Sequence, residues 1–199
     1  MFLFGPAQPG VRQFSSGTPR QSLIRAGGSP GLKAIMSDQV SVEVPVSAYR
    51  SAGLAAFAVL GMTAFHHAYG AIVYETPSRF HIAVIAPILA LGIVQALYLG
   101  GSRRGTRSGS MWTRIAAGLI LIFPVGLIGM VEGGYNHVIK NLVYFLSGPQ
   151  LARGLFPPPA YEMPDNLLFE ITGIAQVPLA LVAAYWVMIV LRPARDAAP

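Results

Sequence analysis

Residues 80–99 read FHIAVIAPILALGIVQALYL, twenty positions without a single Asp, Glu, Lys or Arg. A hydrocarbon layer is crossed by about 20 apolar residues at ~1.5 Å of helical rise each, so this stretch is long enough to be a complete span. Apolar residues run continuously instead of alternating, which selects a helix over a barrel strand. Residues 52–74, 112–131 and 168–191 repeat the pattern, each free of charge through its middle. Backbone groups in lipid must be bonded internally, and a bundle of helices satisfies that demand. The expected fold class is therefore all-α, an integral membrane four-helix bundle. Composition agrees: 53% of the 199 residues are hydrophobic and 11% charged, against roughly 25% charged in a soluble domain. Pro87, Pro124 and Pro178 fall inside three of the spans, where each removes one helical hydrogen bond and is expected to bend its helix.

Orientation follows from the basic residues, which are retained on the cytoplasmic side when they flank spans in short loops. Arg12, Arg20, Arg25, Lys33 and Arg50 precede the first span, Arg103, Arg104, Arg107 and Arg114 surround the second connection, and Arg192 and Arg195 follow the last. Only Arg79, Lys140 and Arg153 fall on the opposite side, together with Glu75, Glu132, Glu162, Asp165 and Glu170. Both termini are thus expected to be cytoplasmic. The excess of basic residues, a net charge of +6, is a product of topology and gives no reason to expect nucleic acid. The basic stretch 100–110 matches neither a P-loop nor a dinucleotide fingerprint. Its expected partner is the anionic lipid of the inner leaflet.

Residues 1–48 form a basic N-terminal segment, and residues 1–35 of it are acid-free and broken by Ser, Gly and Pro, a composition that reads as disordered. Met36 reads as the true translation start, which suits a bacterial cytoplasmic (inner) membrane protein. The alternative, a transit peptide in residues 1–35, would make the membrane the mitochondrial inner one. Residues 49–192 form the transmembrane domain and 193–199 a short tail. The chain has no cysteine, which removes disulfides, thiolate metal sites and covalent haem.

All four histidines and most of the acids gather toward the outer side. His66 and His67 lie about two and a half turns before Glu75 on helix one and diverge by ~100°. His81 lies one turn into helix two, Glu132 ends helix three, Asn136 and His137 follow Gly133-Gly134, and Glu170 opens helix four, with Gln176 deeper. Tyr69 shares a face with His66. Polar side chains within spans are costly and mark ligand sites, proton relays or substrate paths; the competing explanation is interhelical hydrogen bonding. His66, His67, His81, Glu132, His137 and Glu170 are the candidate ligands, with Tyr69, Glu75, Asn136 and Gln176 in support.

Imidazole with carboxylate suits a divalent transition metal. A two-histidine haem is the weaker reading, since no spacing here fixes two facing imidazoles. Residues 135–147 read as a separate amphipathic helix in the long outer loop between helices three and four, lying in the interface or capping the bundle, followed by a Pro-stiffened lid or spacer at 156–165. The leading functional expectation is a multi-pass membrane protein binding a metal ion or small ligand at this cluster. The alternatives are a membrane enzyme using His/Glu acid–base chemistry on a lipid-like substrate, or a non-catalytic scaffold. A homo-oligomer or a membrane-complex partner is a further expectation. The absence of native cysteine makes the topology directly measurable: Ser102→Cys is expected to react with an impermeant thiol reagent only from the cytoplasmic side, and Ser78→Cys only from the opposite side.

Overall fold

A computed structural model describes residues 44–158 and 160–192, and every described segment of regular structure is helical. The expectations for Met36, for most of residues 1–48 and for the tail 193–199 lie outside the described residues. Helix α1 is Val46–Val73, α2 is Phe80–Ser102 after a 3₁₀ turn at Pro77–Arg79, and α3 is Arg107–Ile120. Beyond α3 the chain winds as a π-helix, π1, over Leu121–Ile139, then returns to α-helix as α4 at Lys140–Ser147. A short α5, Pro149–Leu155, and an irregular segment lead to α6 at Leu167–Val190. Four runs are long and apolar enough to cross a membrane: Val46–Val73, Pro77–Ser102, Arg107–Ser147 and Leu167–Val190. Helix α1 packs between α2 and α6, π1 packs on α6, and α3 packs on α2, which closes a four-membered bundle.

The helix faces are sorted by size rather than polarity. Inward positions are dominated by alanine, including Ala52, Ala55 and Ala56 of α1, Ala86, Ala90 and Ala96 of α2, Ala116 and Ala117 of α3, and Ala180 and Ala183 of α6. Outward positions carry the bulk: Leu54 is 71% exposed, Ile72 69% and Leu91 72%. In water this would be inside-out. In lipid it is the expected arrangement, because tails are as apolar as leucine and small residues let backbones approach closely.

Each turn has a local cause. Helix α1 ends with Glu75 at φ 51°, the left-handed position usually given to glycine. The Thr76 amide donates to the Ala71 carbonyl at 3.0 Å and the Glu75 amide to that of Ile72, which is the Schellman pattern. Pro77 then prevents continuation. The Thr106 side chain accepts the Gly109 amide at 3.0 Å to start α3, and the Asn166 side chain accepts the Phe169 amide at 3.0 Å to start α6.

The third span departs from expectation. Gly133-Gly134 does not interrupt the helix, so residues 135–147 are no separate amphipathic helix in the outer loop; they continue a run from Arg107 to Ser147. The glycines serve packing instead: a Cβ at Gly133 would lie 3.0 Å from Val177 Cγ2 and 3.1 Å from the Gly173 carbonyl. The π winding sets which side chains face inward. Pro124, Gly129, Gly133 and His137 are all buried, and their spacing of five, four and four residues follows the wide turn. At an α-helical ~100° per residue, His137 would stand roughly 220° around the helix from Pro124. Pro124, with no amide to donate, sits where the hydrogen-bond pattern has changed to i→i+5.

Gly173 of α6 meets the same line of contact, since a Cβ there would collide with the His137 ring. Gly92 of α2 faces open space, with nothing within 4 Å of a Cβ. Gly173→Ala is therefore expected to lower stability by about 1–3 kcal/mol through overpacking, measured by unfolding in detergent micelles, while Gly92→Ala leaves stability unchanged or raises it.

Candidate metal centre

Three of the four spans converge on one buried cluster. Helix α1 supplies His66, π1 supplies Glu132 and His137, α4 supplies Lys140, and α6 supplies Glu170 and Thr172. His66, His137, Lys140 and Glu170 are all buried. The His66 ring stacks on Phe169 with centroids 4.2 Å apart, and His137 meets the same ring edgewise at 5.1 Å.

The hydrogen bonds assign the tautomers. Thr172 Oγ1 lies 2.8 Å from the Leu168 carbonyl and 3.0 Å from that of Phe169, so its one proton goes to a backbone oxygen. With its proton there, the hydroxyl accepts from His66 Nδ1, 3.0 Å away, which then carries the ring proton. Glu170 Oε1 accepts from the Lys140 ammonium at 2.9 Å, and its Oε2 accepts from His137 Nδ1 at 2.8 Å. Both imidazoles thus donate through Nδ1, and in the neutral rings both lone pairs are on Nε2. Those two Nε2 atoms face each other at 3.1 Å.

Glu132 stands beside them. Its Oε1 is 3.5 Å from His66 Nε2, 3.6 Å from His137 Nε2 and 3.8 Å from His67 Nε2. Asn136 donates to its Oε2 at 2.7 Å, which turns Oε1 toward the rings. Lys140 pairs with Glu170 and Arg79 with Glu162 at 2.9 Å. Among the described residues, Glu132 has imidazoles for ionic partners and no Lys or Arg. Two lone pairs and a carboxylate therefore surround one point, and the arrangement calls for a cation there, a proton or a metal ion.

His66, Glu132 and His137 each offer a ligand atom, all within 4.8 Å of one another. Bond lengths of about 2.0–2.1 Å in a tetrahedral zinc site give ligand–ligand edges of about 3.3–3.4 Å. The observed edges of 3.1, 3.5 and 3.6 Å bracket that value. The far nitrogens carry the support such sites use, a carboxylate on His137 and a hydroxyl on His66. Beside the triad lies a cavity of about 110 Å³ whose lining includes His67, Arg79, Asn136, Lys140 and Tyr161.

The segment between α5 and α6 is tied down over this end of the bundle. Lys140 Nζ donates to the Glu162 carbonyl at 2.6 Å, Arg79 pairs with the Glu162 carboxylate, and Tyr74 donates to Asp165 Oδ1 at 2.9 Å. Burial, and then the bond to Asp165, push the Tyr74 phenol above its ordinary pKa. The hydroxyl therefore keeps its proton through the pH at which a free tyrosine, near 10, would lose it.

The expected site residues divide. His66, Glu132, His137 and Glu170 come together, with Asn136 in support and His67 at the rim. His81 does not join: it is exposed, and its Nδ1 donates to the Ser78 carbonyl at the start of its own helix. Glu75 is exposed in the turn after α1, where its backbone conformation is its structural contribution. Tyr69 hydrogen-bonds Asn166, the cap of α6, at 3.3 Å. Gln176 is fully buried, but among the described residues its amide has no hydrogen-bond partner, so it does not bond to either histidine. Lys140 and Thr172 were not anticipated. The sequence signal for Lys140 is its i+3 spacing from His137; Thr172 leaves none, because its role depends on the opposing helix.

Removing one member of a buried ion pair strands the other charge, at a cost of about 3–5 kcal/mol. Lys140→Met is expected to destabilise on that scale in detergent unfolding, and adding Glu170→Gln is expected to recover part of the loss, a non-additivity readable from a double-mutant cycle.

Comparison of the chain with protein-family models, with curated proteins and with solved structures finds no match.

Proposed function

We propose that this membrane protein binds one divalent transition-metal ion through His66 Nε2, His137 Nε2 and Glu132 Oε1. One observation carries the reading: two imidazoles whose Nδ1 atoms are both committed as donors, to Thr172 and to Glu170, leave their Nε2 lone pairs 3.1 Å apart beside a carboxylate without a Lys or Arg partner among the described residues. With neutral imidazoles, Glu132, Glu170 and Lys140 sum to one negative charge in a largely buried cluster. A divalent cation reverses that sign and removes the lone-pair repulsion in the same step.

Two histidines and a glutamate are the ligand set of several catalytic zinc sites, in which a fourth position stays open to water or substrate. The cavity beside the triad supports an open position here. With a volume of about 110 Å³ and a lining that sets Arg79, Glu132, Asn136 and Lys140 beside Tyr161 and Phe169, it has room for water or a small molecule and too little for the acyl chain of a lipid-like substrate. The scaffold reading makes the cluster interhelical bonding alone, in which one protonated imidazole donates to the other across the same 3.1 Å and no metal is retained.

The test is metal analysis of protein purified in mild detergent. Wild type is expected to retain about one equivalent of a transition metal after dialysis. Combined His66→Ala and His137→Ala replacement is expected to abolish retention, with a folded bundle verified by circular dichroism. Glu170→Gln and Thr172→Val, which leave all three ligands in place, are expected to weaken affinity about 10–100-fold. Metal content unchanged by loss of both histidines overturns the proposal.

A further inference from the structure

A second site lies at the other end of the bundle, between α1 and α2. These helices are antiparallel, with Gly101 against Tyr49 and Gly53 against Leu97, so Arg50, near the start of α1, and Arg104, just beyond the end of α2, come to the same end of the bundle, about one helical turn apart. Between them runs a groove of about 800 Å³ whose lining includes both arginines. Its apolar walls are Leu54 and Phe57 of α1 and Val94, Leu97 and Tyr98 of α2. Gly53 and Gly101 keep it deep: a Cβ on Gly53 would already lie 3.5 Å from Leu97 Cδ1, and one on Gly101 would lie 3.3 Å from the Tyr49 ring.

The charge is one-sided. Two guanidinium groups stand at one end of the groove, and among the described residues no carboxylate lines it. Its outward side chains are exposed, Leu54 at 71%, Phe57 at 60% and Tyr98 at 66%, so the groove is continuous with the surface that faces lipid. From Arg50 to Phe57 the helix rises about 10 Å, so a headgroup phosphate held by the arginines leaves the first half of an acyl chain along the apolar walls. An uncharged lipid matches the walls alone, and a zwitterionic one brings, with its phosphate, a cation that the two arginines repel. Free phosphate matches the arginines alone.

We propose that this groove seats one anionic phospholipid, its phosphate between Arg50 and Arg104 and one acyl chain along Leu54, Phe57, Val94 and Leu97. Basic pockets between spans on the cytoplasmic side hold anionic headgroups in this manner, and the charge asymmetry of the chain places this end of the bundle there. The site shares no residue with the metal centre.

The experiment is native mass spectrometry of the full chain released from mixed micelles containing phosphatidylglycerol or phosphatidylcholine at equal concentration. One phosphatidylglycerol is expected to remain bound, with at least ten-fold preference over phosphatidylcholine. Arg50→Gln combined with Arg104→Gln is expected to remove that preference without changing metal content. Equal retention of the two lipids overturns the proposal, as does undiminished phosphatidylglycerol binding by the double variant. So does full displacement by millimolar inorganic phosphate, which would mark a phosphate site, or a spectrum dominated by chain dimers that retain no lipid, which would make a second copy the occupant.

Discussion

An ammonium group almost wholly buried between helices constrains everything around it. Lys140 is 2% exposed, and a charge so placed is tolerable only when paired and fully hydrogen-bonded. Glu170 supplies the pairing charge and the Glu162 carbonyl a further acceptor. Glu170 is then held at one oxygen, and the other is free to receive His137. That bond fixes the imidazole ring, the ring presents Nε2 to His66, and His66 is held from behind by Thr172. The order of this half of the bundle is thus a single chain of polar contacts starting from one lysine. The same lysine joins α4 to the segment that covers the site, so the cover and the centre share one anchor.

The backbone is shaped to make that chain possible. A regular α-helix carrying Pro124 inward would turn His137 away from α6. The π winding from Leu121 to Ile139 keeps both inward, and it also brings Glu132 and His137, five residues apart, to one turn. Glycine does the complementary work: Gly129, Gly133 and Gly173 let π1 and α6 approach until the His137 ring lies over the α6 backbone. Wide helical turns carry a cost in hydrogen-bond geometry and concentrate at functional sites. Here the departure coincides with Glu132 and His137, the two proposed ligands that a single helix contributes.

Much of this architecture is legible from residue order. Four spans follow from unbroken apolar length, and His66, Glu132, His137 and Glu170 follow from being polar where polarity is costly. The steps that fail are those in which a residue's role is decided by its partner helix. Gly133-Gly134 looks like a break because glycine ordinarily loosens a helix, but the close approach of α6 turns it into a contact. His81 looks like a ligand by depth, but depth does not specify the face, and the turn claims its ring. Gln176 is at a suitable level and still finds no partner. Residue order alone has no cue for i→i+5 winding, and so nothing in it shows that Pro124 and His137 share one face of the helix.

The alanine lining has a thermodynamic consequence. When these helices separate within a bilayer, the faces led by Ala52, Ala90, Ala116 and Ala183 pass from protein to hydrocarbon and never meet water. The large positive heat-capacity change that bends the stability curve of a soluble protein comes from hydrating apolar surface, and that term is largely missing here. Cohesion in the alanine-lined half is dispersion and fit, which do not fade on cooling as hydrophobic burial does. This half of the bundle should therefore show a nearly straight dependence of stability on temperature, without a cold limb.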